Sequence, residues 1–156
     1  MRRAWHRAAL LTLAIVLLCT SAARAKRLEK SLTTLGPYRL GTSYDEMQGR
    51  TGFTADPARS RPSQGELSAK IIDKKIADTP TIQRFTFRQG KLVRVSILFG
   101  DTAWDEDRVK TYVAGQHGDP GEKVDGKYVW IGNDGNLVVV LFGDGGRWMA
   151  SLVQRR

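Results

Sequence analysis

The chain is poor in the groups that carry most side-chain chemistry. Among 156 residues there is one cysteine, Cys19, and there are two histidines, His6 and His117. One cysteine cannot form an intrachain disulfide, and a lone thiol offers no zinc cluster. Long apolar runs are equally scarce: Ala8 to Cys19 is the one extended stretch, and it is shorter than the roughly 20 residues a membrane-spanning helix needs. Acids are outnumbered, 16 against 25 lysines and arginines, for a formal charge of +9.

The apolar run has a telling setting. Arg2, Arg3, His6 and Arg7 precede it and Ala23-Arg24-Ala25 follows it. A positive start, an apolar middle and a small-x-small site are the three parts of a secretory signal peptide. The expectation is a leader over residues 1–25, cleaved near Ala25, and a periplasmic or secreted chain with no transmembrane anchor. Cleavage would remove Cys19, leaving no thiol. The competing fate is lipid attachment at Cys19; that processing favours a small preceding residue, and Leu18 is large. Four arginines and no acid leave with the leader, so the formal charge falls by four. A moderately basic exported chain is not expected to bind nucleic acid.

After the leader, residues 26–35 are charged and are expected to form a linker, with one domain over 36–156. That domain contains an echo. Gly90-Lys91-Leu92-Val93-Arg94-Val95-Ser96-Ile97-Leu98-Phe99-Gly100-Asp101 returns, shortened, as Gly135-Asn136-Leu137-Val138-Val139-Val140-Leu141-Phe142-Gly143-Asp144. The second copy is two residues shorter, one full pleat, which leaves each side chain on its original face of a strand. The echo suggests an internal repeat, 36–100 and 101–154.

Taken in order, Pro37 to Leu40 suits a short edge strand. Ser43-Tyr44-Asp45-Glu46 has capping-box spacing and opens a helix that Gly52 can stop. Thr54 to Gln64 holds Pro57 and Pro62 and no large apolar residue, so it is expected to be a mobile loop. It is either a plain surface excursion or a partner-binding loop presenting Arg59, Arg61 and Gln64. Glu66 to Ile76 is either a strand or a helical turn; periodicity does not decide. In Ile82 to Phe99, Phe85, Phe87, Val93, Val95, Ile97 and Phe99 alternate with polar residues, a half-buried hairpin. A three-residue turn, Arg88-Gln89-Gly90, would set Phe85 opposite Val93 inside and Arg84 opposite Arg94 outside.

Asp101 or Thr102 can cap a second helix whose apolar stripe is Trp104, Val109, Tyr112 and Val113. Lys127 to Ile131, Leu137 to Phe142 and Trp148 to Val153 read as three antiparallel strands, the middle one central because it has no polar position. The expected fold class is α+β: two α-β-β-β repeats forming an antiparallel sheet with two helices on one face.

Leu40-Gly41-Thr42-Ser43 with Met47 and Gly52, together with His117-Gly118-Asp119-Pro120, resembles the small exported bacterial proteins of the SmpA/OmlA (BamE-like) kind. The chain is more loosely similar to the tandem β-lactamase-inhibitor-protein fold. The likeness covers most of residues 36 to 153. It implies non-catalytic protein binding, common to both relatives, and more faintly a part in outer-membrane assembly.

No catalytic set is expected. A nucleophile, a base and an orienting group are needed, and after cleavage His117 is the only histidine. At a helix end it suits the last carbonyls. Asp101, Asp105 and Asp107 sit where capping wants carboxylates, and Asn133-Asp134-Gly135-Asn136 lacks the ligands of a calcium loop. No metal and no cofactor are expected. Trp104 and Trp130 fit the core; Trp148 could anchor an interface. The basic hairpin suggests an anion-accepting face built from Arg84, Arg88, Lys91 and Arg94, because facing like charges are destabilising unless something offsets them. The expected function is non-enzymatic: a periplasmic binding or envelope-accessory protein meeting an envelope protein or an anionic envelope surface. The alternative is a secreted inhibitor-like effector or a small hydrolase using His117.

Overall fold

The computed structural model describes residues 27–100, 103–119, 122–143 and 146–155. The expected leader with Cys19 lies outside the described residues, and so do Asp101 and Thr102. A small ladder, β1 (Thr34–Leu35) with β2 (Tyr38–Arg39), precedes the helical turn α1 (Tyr44–Gln48). Then follow β3 (Thr54–Ala55), β4 (Glu66–Ile76), β5 (Thr79–Arg88), β6 (Lys91–Phe99), helix α2 (Glu106–His117), β7 (Glu122–Val124), β8 (Lys127–Ile131), β9 (Leu137–Gly143) and β10 (Arg147–Val153). β3 to β10 form one eight-stranded antiparallel sheet in the order β3-β4-β5-β6-β10-β9-β8-β7.

The expected α+β class with two helices on a sheet is overturned. The described residues are mostly β, with one real helix among them. Ser43 does cap α1, its Oγ accepting the Glu46 N–H at 3.2 Å, but Gly49 ends the helix after five residues and Met47 is its one buried side chain. So short a segment cannot offset the cost of helix nucleation with its own hydrogen bonds; tertiary contact through Met47 holds it. Residues 66–76, ambiguous in sequence, are the longest strand of the sheet. Ile71 and Ile72 suit a strand, and pairing with β5 over nearly its whole length holds the segment there despite its lysines.

α2 starts later than expected. Asp105, not Asp101 or Thr102, is its cap, accepting the Arg108 N–H at 2.8 Å. Trp104 then falls just before the cap, and with Val109 has the spacing of a hydrophobic staple; both are buried in the same core.

Two meanders, β3–β6 and β7–β10, run from opposite edges and meet where β6 pairs with β10. Trp148 pairs with Phe99 on one side and with Phe142 on the other, so all three project from one face. The pleat argument therefore holds for Phe99 and Phe142. Their strands are not equivalent, however: β6 ends the first meander, whereas β9 is the penultimate strand of the second.

The face carrying Phe99 is the core face. Phe85, Phe87, Val95, Ile97, Val138, Val140, Ala150 and Leu152 pack there against Val109 and Val113 of α2 and Met47 of α1. Residues 27–35, expected to form a linker, are bound into this core. Leu32 and Leu35 are fully buried, the Leu28 N–H donates to the Ile131 carbonyl at 2.7 Å, and the Leu32 carbonyl accepts from Asn136 Nδ2 at 3.0 Å. Gly132 permits the crossing, since a β-carbon there would lie 2.8 Å from the Leu32 nitrogen.

Candidate functional site: the open face of the sheet

Both α-helical segments pack on the core face, so the opposite face carries no α-helix among the described residues. Its composition follows from register. The β5–β6 turn has two residues, Gln89 (φ 51°) and Gly90 (φ 72°), both left-handed, the conformation that matches strand twist in tight hairpins. A two-residue turn pairs odd with even positions: Arg88 meets Lys91 and Phe87 meets Leu92. A bulge at Val93 then restores the odd-to-odd pairing, and Phe85 faces Val95 while Arg84 faces Ser96. The expected Phe85–Val93 and Arg84–Arg94 pairs are thus absent. Leu92 takes the buried place assigned to Val93.

Cross-strand rows can now be read over the open face. One row runs Lys70–Arg84–Ser96–Ser151–Val139–Val129, and the next Ser68–Thr86–Arg94–Val153–Leu137–Ile131. Two cations therefore do stand directly opposite each other, but they are Lys70 and Arg84. Ser96 Oγ and Ser151 Oγ share a hydrogen bond of 2.8 Å beside them. Toward β8 and β9 the same face becomes apolar, with Val129, Ile131 and Val139 buried as a small second cluster.

The expected anion set is divided by the structure. Arg84 and Arg94 lie on the open face in neighbouring rows. Arg88 is committed to Glu66, Nη2 to Oε2 at 2.8 Å. Lys91 is exposed on the turn, where its backbone bridges Ser43. Lys70, which no sequence pattern singled out, completes the cationic row because β4 is a strand in register with β5.

The 54–64 segment is folded down on β4. Two short 3-10 turns, Pro57–Arg59 and Pro62–Gln64, carry it. Ser60 Oγ accepts the Ser68 N–H at 2.9 Å and Ser68 Oγ donates to the Arg59 carbonyl at 3.1 Å. Arg59 lies 3.7 Å from Asp56. Arg61 exchanges backbone hydrogen bonds with Glu66, and the Gly65 carbonyl accepts from Gln89. Arg61, Gln64, Arg88 and Lys91 are thereby gathered at one end of the sheet, next to the cationic row.

His117 lies elsewhere. It is 5% exposed, and its Nε2 is buried with no partner. Burial pushes its pKa below the ordinary value, the nearby Lys30 charge adds to that, and a hydrogen bond with the Thr34 backbone opposes both. Trp104 and Trp130 are core residues, while Trp148 is half-buried against Phe142, which is 59% exposed. Among the described residues no cluster of three metal-ligating side chains occurs, and no helix is long and apolar enough to cross a membrane.

A buried polar network escaped the sequence reading. Tyr38 Oη donates to Gln83 Oε1, Gln83 Nε2 donates to Thr81 Oγ1 at 3.1 Å, and Thr81 Oγ1 donates to the Lys74 carbonyl at 2.6 Å. Gln83 occupies an inward position of β5, so its polarity inside an alternating strand was the available signal. No protein-family model, curated protein or solved structure matches the chain.

Proposed function

We propose that this chain is a non-enzymatic, exported binding protein that meets an anionic envelope surface through the open face of its sheet. The observation that carries the reading is the gathering of Lys70, Arg84 and Arg94 in two neighbouring rows of the open face, with Thr86 beside them. Positive charge gathered on one face of a sheet draws an anionic surface toward it. Ammonium and guanidinium donors side by side are groups that recognise phosphate and carboxylate oxygens. Glu66, the acid at the margin of this region, is already held by Arg88.

Export is the second part of the proposal, and it rests on the charged, apolar and small-residue succession over residues 1–25. The resemblance to SmpA/OmlA-like proteins agrees with an envelope-accessory role. The direct test is co-sedimentation of the chain beginning at Lys26 with vesicles of anionic or zwitterionic lipid. Binding confined to anionic vesicles and weakened by salt supports the reading, because exposed charge interactions are screened beyond a Debye length of about 8–10 Å. Equal binding to both vesicle types, or to neither, contradicts it.

A further inference from the structure

The open face has a second feature, one register step from the cations. Ile72, Ile82, Leu98, Met149 and Leu141 form an uninterrupted aliphatic row across five strands. At the β4–β6 end of this row is a trough of about 380 Å³, near the lower end of the roughly 300–1,000 Å³ typical of small-molecule sites. Leu98 is nearly buried in its floor, whereas Ile72 is 50% exposed at its rim.

Between its two charged ends the trough is lined by Ile72, Pro80, Thr81, Ile82 and Leu98. Arg147 of β10 reaches in over Gly100, at the end of β6: a β-carbon on Gly100 would lie 3.0 Å from Arg147 Nε and 3.3 Å from Cζ. The missing side chain is what lets the guanidinium lie flat across the sheet. Three acid–base pairs occur among the described residues, and Arg147 belongs to none of them. Asp73 lines the far end from β4, three strand spacings away, or about 14 Å. No ion pair among the described residues joins it to Arg147.

We propose that the trough binds an aliphatic monocarboxylate, with the carboxylate on Arg147 and the chain along Leu98, Ile82 and Ile72. The guanidinium fork matches the two oxygens of a carboxylate. One cation neutralises one negative charge, which favours a carboxylate over a phosphate monoester carrying about −1.5 to −2. Aliphatic side chains beside the guanidinium give a hydrocarbon chain a surface on which to leave water. The site is separate from the cationic row, and it does not rest on the vesicle-binding proposal.

Calorimetric titration of the chain beginning at Lys26 with decanoate, kept below its micelle concentration, tests this. The expected result is saturable binding at one site, with acetate and decanol each at least tenfold weaker. Arg147→Gln should weaken decanoate at least tenfold. Gly100→Ala should weaken it by displacing the guanidinium, and Arg147→Lys should fall between wild type and Arg147→Gln. Methyl resonances of Ile72, Ile82 and Leu98 in the unmutated protein should shift on addition of decanoate, a readout that survives even if a variant misfolds. Non-saturable binding, equal affinity for decanol, an unchanged affinity in folded Arg147→Gln, or methyl shifts confined to other residues would each overturn the proposal.

Discussion

Ser96 and Ser151 face each other across the seam between the two meanders, Oγ to Oγ 2.8 Å, and each is less than a tenth exposed. This is where two sheets' worth of strands become one, and each hydroxyl is the other's partner. Replacing one of them leaves a buried hydroxyl unpaired, whereas replacing both removes the need for a partner. Ser96→Ala and Ser151→Ala should each cost about 1 kcal/mol in urea unfolding, and the double variant should cost clearly less than the two together. Additive losses would mean that the pair is not coupled.

The N-terminal strap should behave as core. Leu32 is fully buried with Leu35, Tyr38 and Trp130 in the main cluster, and truncation of such a leucine costs about 2–5 kcal/mol. Leu32→Ala should therefore lower the urea midpoint by far more than Leu67→Ala, whose side chain is 38% exposed on the strand edge of the same face. Equal effects would show that residues 27–35 are loosely attached in solution.

His117 gives the stability a pH dependence of definite sign. Its folded pKa lies below the ordinary value of 6.5, chiefly through burial. The unfolded chain then binds the proton more readily, so ∂ΔG/∂pH is positive in that window. The contribution is fully present above pH 6.5. It declines as the pH falls toward the depressed folded value, below which it changes no further. Thermal melts from pH 8 down to 5 should show this decline in the parent protein, and His117→Gln should flatten it over the same range. A parent protein that gains stability toward pH 5 would contradict the assignment.

The Tyr38–Gln83–Thr81 network should be costly to break from either end. Tyr38→Phe leaves Gln83 Oε1 without its buried donor, an expected loss of about 1–3 kcal/mol. Gln83→Leu strands the Tyr38 hydroxyl at similar cost, and the two substitutions together should be less than additive. Calorimetric unfolding of the three variants checks this; full additivity would mean that water replaces each lost partner.

Much of the strand content was legible because alternation of β-branched and aromatic residues reports which face of a strand is buried. Phe85, Val95, Ile97 and Phe99 were placed inward from that pattern and are buried. What alternation cannot give is register. Gln89 adopting a left-handed backbone conformation made the turn two residues long, and the bulge at Val93 then moved Arg84 from Arg94 to Ser96. The capping box at Ser43 was legible as a helix start, but not the helix's length, since Gly49 closed it and there was little apolar surface to extend it. Leu32 and Leu35 were passed over because the charged residues just before them, Arg27, Glu29 and Lys30, and the hydroxyl residues around them show no strand alternation. The cationic row was half visible: Arg84 and Arg94 stood out, while Lys70 became part of it only through pairing between strands.

The most direct test of the cationic face is charge reversal at Lys70, Arg84 and Arg94 together, with exposed Arg39 on β2 reversed as a control. Binding to anionic vesicles would be measured in low and in high salt, after unfolding curves confirm that each variant is folded. The account predicts that the triple reversal abolishes the salt-sensitive binding while Arg39→Glu leaves it within twofold of the parent. Equal loss in both variants, or binding unchanged by the triple reversal, would contradict it.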